Sequence, residues 1–458
     1  MLSVEQLKEI FQREKEEILE DFFTFLRFKS IATDPAYKNE VVGCADWIKE
    51  YLEKIGLTAE KWETEGSPVI FASDLRAGPE KETLLLYGHY DVQPVDPIEL
   101  WTHPPFEPTL VDGDIYARGA SDNKGQSFYT IRAIKTLLEE LGQLPINLKI
   151  LIEGEEESGS AHLPALLEEK SERLQADHTL IVDMGFYEKD QPAIILSARG
   201  LVAMTITLTG SKFDLHSGMH GGLAYNPNRA LVELLASFHD DSGTVTIPGF
   251  YDEVAMITPS EKSELDFDFD VGKFESQFGA KATGMERGVD PFEATCLRPT
   301  LEINGIAGGY AGNGFKTVIP AKATAKISCR LVPDQHPNTI AALVETHIRS
   351  RIPDGITVTI DLEPGRGAPF RYSPHSRIAE VMTACYSQIF QKPCRRYLSG
   401  GSIPITPELA KHVKGDIVLV GVALPDDKIH APDEHFGLDR LEQGYLILCR
   451  SIELLGEK

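Results

Sequence analysis

Leu84-Leu85-Leu86-Tyr87-Gly88-His89-Tyr90-Asp91 decides how this chain is read. A short apolar run of this kind fits a strand buried on both faces, and it ends on an imidazole and a carboxylate. Two further runs end the same way: Leu148–Ile152 leads to Glu155-Glu156-Glu157, and Thr179–Val182 leads to Asp183. In an open α/β sheet, ligands sit in the crevice at the carboxyl ends of parallel strands. Oxygen and imidazole donors delivered there by separate strands therefore predict a shared metal site.

The 458 residues exceed what one hydrophobic core usually supports, so two domains are expected. A formal net charge of −25 argues against sequence-independent binding to nucleic acid or to an anionic membrane, since both need a basic face. Small-molecule or peptide substrates fit better. The N-terminus lacks the pattern of an export signal. Ser3 and Gln6 predict instead a capping box that opens one amphipathic helix carrying Ile10, Phe11, Ile18, Phe22 and Leu26. No apolar run is long enough to cross a bilayer. The six cysteines are scattered without Cys-x-x-Cys pairing, which suits reduced thiols and a cytoplasmic location, and none is placed as a nucleophile.

Up to about Ala198, short apolar runs alternate with helical periodicity, as in Asn123–Glu140 with Phe128, Ile131, Ile134, Leu137 and Leu138 on one face. That is the βα alternation of a mainly parallel sheet. From Leu201 the period becomes two, in Val202–Leu208, Ala323–Leu331 and Ile356–Leu362, with helical stretches at Asn228–Phe238 and Pro337–Ile352. This middle part reads as an antiparallel sheet with helices on one side. After about Phe370 the first style returns, with a helix at Ile378–Phe390 and a buried strand Ile417–Val422 followed by His430. The expected architecture is an α/β catalytic domain in two pieces, 1–198 and 371–458, with an inserted α+β domain over 199–370.

Taken singly, the charged groups have plainer readings. His89-Tyr90-Asp91 could be a surface turn, although i and i+2 share a side of an extended backbone, so Asp91 could also hold the second ring nitrogen of a metal-binding His89. Ser121 or Asp122 could cap the helix that follows, and Asp183 and His430 could be surface residues. Three adjacent glutamates are harder to explain, because like charges repel. One as ligand and its neighbour as general base would account for them, with the register left open. Gly308–Thr317 lacks the spacing of a phosphate loop because Phe315 interrupts it, and is expected to be a flexible loop facing the substrate. Asp266–Asp270 departs from a calcium loop, having Val271 where glycine is needed.

Six motifs occur in one order: Gly88-His89-Tyr90-Asp91-Val92-Gln93-Pro94, Ala117-Arg118-Gly119-Ala120-Ser121-Asp122-Asn123-Lys124-Gly125, Glu156-Glu157-Ser158-Gly159-Ser160, Asp214-Leu215-His216-Ser217-Gly218, Lys316-Thr317-Val318-Ile319-Pro320 and Gly400-Gly401-Ser402-Ile403-Pro404. Over nearly the whole chain they resemble the M20 metallopeptidases, in particular the carnosinase-like branch of cytosolic nonspecific dipeptidases. The resemblance implies a dimetal catalytic domain with an inserted lid and dimerisation domain. It implies two divalent ions, zinc or manganese with cobalt as a substitute, bridged by Asp122. His89 and Asp183 would complete one coordination shell, and Glu157 and His430 the other. Asp91 would orient His89, and Glu156 would be the general base, a register fixed by Ser158-Gly159-Ser160, with Glu155 left over.

His216 matches a histidine that reaches across a homodimer interface to the scissile carbonyl, with His220 four residues on as the competing imidazole. Thr317, Arg330 and Ser402 match positions around the substrate, Arg330 being suited to grip a free carboxylate. The implied reaction is hydrolysis of dipeptides or short peptides by a metal-bridged water. The alternatives are an N-acyl amino acid amidohydrolase with the same metal centre, and a catalytically silent metal-binding protein, which would have no need of a base beside the metals. A two-metal phosphate-ester hydrolase would want cationic clamps where these strand ends are acidic.

Overall fold

The computed structural model describes residues 1–186, 188–189, 191–255, 257–258, 269–363, 366–400 and 405–457. Its chain divides into two compact units. The first comprises Met1–Leu196, Tyr372–Tyr397 and Glu408–Lys458, and the second Ser197–Arg371 with Leu398–Pro407.

The first unit is built on an eight-stranded sheet in the order Thr58–Trp62, Val69–Asp74, Asn147–Glu153, Thr83–His89, His178–Val182, Ile417–Val420, Ala193–Ile195 and Arg395–Tyr397. Its four central strands, from Asn147–Glu153 to Ile417–Val420, run parallel to one another. The apolar runs quoted above are these strands: every residue of Asn147–Glu153 and of His178–Val182 is buried. Burial on both faces is what removes the alternation from such strands. Helices Lys124–Leu141 and Leu438–Gly456 pack closely against each other, and a Cβ at Gly444 would lie 2.6 Å from the Tyr129 ring.

The N-terminal segment differs from its expected single helix. Two helices, Val4–Arg13 and Lys15–Arg27, meet at Glu14, which sits at φ −102° and ψ 7°. There the Glu14 carboxylate lies 2.5 Å from the guanidinium of Arg132, whose side chain is 1% exposed and draws a second carboxylate from Glu17 at 3.1 Å. Glu14 keeps helical hydrogen bonds on both sides, its N–H donating to the Ile10 carbonyl at 3.0 Å and its carbonyl accepting from the Ile18 N–H at 2.9 Å. The Ser3–Gln6 capping box is formed.

In the second unit a four-stranded antiparallel sheet has the order Thr300–Gly308, Lys322–Leu331, Gly200–Thr209 and Thr357–Leu362. Gly200–Thr209 alternates buried and half-buried residues along its length. Val202, Met204, Ile206 and Leu208 face a core shared with Ala325, Ile327, Cys329 and Leu331 and with Leu231, Leu234, Val344 and Ile348 of helices Pro227–Ala236 and Pro337–Ser350. Residues 398–400 and 405–407 were expected in the first unit but group with the second. The Leu398 carbonyl accepts from Cys296 Sγ at 3.0 Å, and the Gly400 carbonyl from Arg199 Nε at 2.9 Å. All six cysteines are buried thiols. Among the described residues no helix is long and apolar enough to cross a membrane.

Candidate metal centre

Three parallel strands deliver their donors to one end of the sheet. Thr83–His89 ends on His89 itself, Asn147–Glu153 runs into a single turn at Glu156–Ser158, and His178–Val182 is followed by Asp183. Asp122 arrives on the turn that precedes helix Lys124–Leu141, and His430 on the connection after Ile417–Val420. Gly88 makes the crossing possible, since a Cβ there would lie 2.6 Å from Ser127 Oγ and 2.9 Å from Asn123 Oδ1.

Donor atoms of His89, Asp122 and Asp183 form one group, and those of Asp122, Glu157 and His430 form another, with the atoms of each group lying within 4.8 Å of one another. Asp122 belongs to both. Its Oδ1 is 3.1 Å from His89 Nε2 and its Oδ2 is 2.9 Å from His430 Nε2. Asp183 Oδ1 lies 3.5 Å from His89 Nε2, and Glu157 Oε2 lies 3.1 Å from His430 Nε2. The Oε1 of Glu157 is buried and has no hydrogen-bond partner. Two overlapping sets of imidazole and carboxylate donors, one with an orphaned buried oxygen, fit a pair of divalent cations.

Asp91 is fully buried and makes two kinds of contact. Its carbonyl and Oδ1 lie 3.1 and 3.3 Å from His89 Nδ1, so Nδ1–H donates there and Nε2 faces the cation site. Its two carboxylate oxygens also accept from the backbone N–H groups of Glu156, at 3.2 Å, and Glu157, at 3.0 Å. One side chain therefore fixes a ligand histidine together with the turn that carries Glu156 and Glu157. Glu155 faces elsewhere and accepts from the Ser67 N–H at 3.0 Å and from His162 Nδ1 at 2.9 Å.

The charges follow from this crowding. Burial disfavours the ionised form of His89, yet Asp183, Asp122 and Asp91 hold its pKa well above the ordinary value. Hydrogen bonds to Asp122 and Glu157 raise His430 to about 10. Burial alone would raise Asp122, but hydrogen bonds from His430 and His89 keep it below the usual carboxylate range. Burial lifts Asp183, and it lifts Glu156 to about 8, with His89 opposing and Asp183, Asp122 and Glu153 reinforcing. Protons are thus shared where cations would be held.

Several supporting residues escaped the sequence reading. Glu434 is fully buried, and its Oε1 accepts from the N–H groups of Ser121 and Asp122, each at 3.0 Å. Its Oε2 accepts from the Gly119 N–H at 2.9 Å and Arg118 Nη1 at 2.7 Å, so the turn bearing Asp122 is moulded on this carboxylate. Asn123 Nδ2 donates to Asp183 Oδ1 at 2.6 Å, while its Oδ1 accepts from the His89 N–H at 3.2 Å. Gln93 Nε2 donates to Glu157 Oε2 at 2.7 Å. The one signal for Glu434 was its place four residues after His430. His435, the second histidine of that stretch, is not in either ligand group and stacks on Tyr116.

The remaining expected residues belong to the second unit. His216 is exposed, pairs in register with Val318, and accepts the Gly218 N–H on Nδ1 at 3.0 Å; His220 closes the same short helix. Thr317 is exposed, and its carbonyl accepts from the Ser217 N–H at 3.1 Å. Arg330 lies opposite Leu201 and Thr300 in the sheet, and with Arg199 it lines a cavity of about 470 Å³ within that unit. Phe315, in the loop expected to face substrate, is 91% exposed. Ser402, and Asp266 to Asp268 of the acidic run, lie outside the described residues.

A parallel α/β sheet that gathers two donor groups around one shared carboxylate defines a metal-dependent hydrolase. The chain belongs to the peptidase family M20/M25/M40, whose sequence profile matches residues 85–454. It is 29% identical over 471 residues to the Cys-Gly metallodipeptidase dug1 of Schizosaccharomyces pombe, covering 99% of this chain and 98% of the relative. It is 30% identical over 380 residues to the Beta-Ala-His dipeptidase of Homo sapiens, covering 80% and 73%. Among solved structures, the M20 family metallo-carboxypeptidase Sso-CP2 from Sulfolobus solfataricus superposes with a TM-score of 0.82 at 32% identity, covering 96% of this chain and 99% of that one. The chain is therefore a metal-dependent hydrolase of peptide bonds. These relatives do not favour the N-acyl amino acid alternative.

Proposed function

We propose that this protein hydrolyses the peptide bond of dipeptides and short peptides at a centre of two divalent ions, zinc or manganese. The observation that carries the reading is Asp122, whose two oxygens each approach the Nε2 of a different histidine, at 3.1 and 2.9 Å. The names of the dipeptidase relatives point to the same substrates. His89, Asp122 and Asp183 would hold one ion and Asp122, Glu157 and His430 the other. Ions held there would acidify the attacking water and polarise the scissile carbonyl.

Glu156 takes the proton of the attacking water onto its carboxylate and passes it to the leaving amine nitrogen. A single carboxyl group can serve both halves of that transfer. Asp91 keeps His89 in the tautomer that binds a cation and keeps Glu156 beside it. Arg330 grips the free carboxylate of the substrate, Thr317 and Ser402 are the further substrate-binding residues that the family resemblance gives, and His216 of a second copy polarises the carbonyl. The homodimer is supported by the edge strand Thr300–Gly308, which exposes Ile303 and Ile306 at 40% and 63%. Six buried cysteine thiols suit a reducing compartment such as the cytoplasm.

The direct test strips the purified protein, reloads it with zinc or manganese, and assays dipeptides, tripeptides and N-acyl amino acids. Dipeptide hydrolysis is expected, and no amide hydrolysis with ions bound would refute the reading. His216→Ala is expected to abolish turnover at unchanged metal content, and mixing it with Glu156→Ala should restore activity in hybrid dimers. Hybrids without activity would refute a role for His216 in trans.

A further inference from the structure

Glu155, the first of the three adjacent glutamates, has no part in the proton transfer, yet it stands where the turn carrying Glu156 and Glu157 begins. Its carbonyl accepts from the N–H groups of Ser158 at 3.2 Å and Ser160 at 2.8 Å, so the turn is wound on this residue. Its carboxylate is tied to two other segments. Oε1 accepts from the Ser67 N–H at 3.0 Å, and Oε2 from His162 Nδ1 at 2.9 Å. Both partners are themselves fixed. Ser67 lies in the loop between strands Thr58–Trp62 and Val69–Asp74, where Thr64 Oγ1 donates to the Ser67 carbonyl at 2.8 Å and accepts from the Gly66 N–H at 3.0 Å. His162 opens helix Leu163–Glu169, which buries Leu163, Leu166 and Leu167. The loop is pressed onto the pair, since a Cβ at Gly66 would lie 1.6 Å from Glu155 Oε1 and 2.6 Å from His162 Nδ1.

We infer that Glu155 is a positioning residue for the base Glu156. The inference rests on the proposed hydrolysis and deepens it, and an asymmetry within the turn carries it. Glu157 has side-chain partners of its own, Gln93 Nε2 at 2.7 Å and His430 Nε2 at 3.1 Å. Among the described residues the Glu156 carboxylate has no hydrogen-bond or ion-pair partner, so the backbone of the turn aims it. Asp91 holds that backbone through the N–H groups of Glu156 and Glu157. Glu155 holds its entry, through a carboxylate clamped between the Ser67 loop and the His162 helix. A reacting group misplaced by about 1 Å can lose on the order of 10²-fold in rate. The clamp also answers the repulsion among three neighbouring carboxylates, because the Glu155 charge is met by two N–H donors.

The test is a double-mutant cycle on the metal-loaded enzyme with the dipeptide Ala-Ala, using Glu155→Ala and Glu156→Gln singly and together. Glu155→Ala is expected to lower kcat roughly 10- to 100-fold, with KM and the content of bound ions unchanged. In the Glu156→Gln background the same change should cost less than about threefold, because a residue that acts through the base has nothing left to aim. Glu155→Gln keeps the Oε1 that accepts from Ser67 at 3.0 Å and from His162 at 3.1 Å, and should recover most of the loss. Gly66→Ala drives a methyl against that oxygen while leaving the turn's own sequence intact, and should reproduce part of the loss. Hydrogen exchange over residues 153–163 reads the clamp without turnover and should quicken in Glu155→Ala and Gly66→Ala. Losses that add in the cycle, exchange that does not change, or activity that falls in proportion to lost ions would each overturn this inference and leave the hydrolysis standing. No hydrolysis of dipeptides by the wild type with ions bound would overturn both.

Discussion

Replacing Glu434 by alanine tests whether the turn carrying Asp122 is moulded on a buried carboxylate. The substitution removes the acceptor for Arg118, which is 1% exposed, and for the N–H groups of Gly119, Ser121 and Asp122. Deleting one partner of a buried ion pair costs about 3–5 kcal/mol, and a backbone N–H left buried without a partner adds on the order of 1–3 kcal/mol. Arg118 keeps a bond to the Pro94 carbonyl at 3.0 Å and the face of Trp101, which favours the lower end of the ion-pair figure. About 3 kcal/mol should lower the melting temperature of the chelator-treated protein by roughly 3–5 °C. Losing the hold on Asp122 should weaken metal binding roughly 10- to 100-fold by calorimetric titration, because outer groups orient ligands. Glu434→Gln, which keeps the volume and one oxygen acceptor, should recover part of both losses. A Glu434→Ala protein with unchanged melting and unchanged metal affinity would refute the reasoning.

Other expectations concern the charges. Glu156→Gln should lower kcat on the order of 10²–10⁴-fold with metal content unchanged, measured by metal analysis beside steady-state kinetics. Asn123→Ala frees Asp183 Oδ1 and the His89 N–H from their shared partner, and a fall in metal affinity of about 10-fold or more is expected by titration. Metal loading at neutral pH should release protons, because His89 and His430 are held protonated by neighbouring carboxylates until a cation replaces the proton. Calorimetry in buffers of different ionisation enthalpy checks this, and an apparent binding enthalpy independent of buffer would contradict it. His430 has a folded pKa of about 10 against an ordinary 6.5. Its contribution to the stability of the chelator-treated protein is thus complete below about 6.5 and lost as pH rises to about 10. Melting temperatures of wild type and His430→Ala should converge across that window.

Much of the fold was legible because burial leaves marks in sequence. A central parallel strand is covered on both faces, so Leu84–Tyr87 and Leu148–Ile152 read as unbroken apolar runs, whereas Gly200–Thr209 alternates because one face is less covered. Ligand types at strand ends were legible for the same topological reason. The grouping of Leu398 and Gly400 with the second unit was not, since it goes with distant partners, Cys296 and Arg199.

The sequence by itself determined the sheet type and the motif order, which are properties of local runs and spacings, while the expected donor set came from the family resemblance those motifs carry. Only the tertiary structure decided that Asp122 stands between two histidines 341 positions apart, with a carboxylate 312 residues away accepting its N–H. It also decided that Glu155 turns towards His162 while Asp91 clamps Glu156 and Glu157. Such assignments depend on which backbone N–H and which lone pair meet in a water-poor interior. There an unpaired polar group is costly, and the packing of the whole unit, not any stretch of chain, settles the partners.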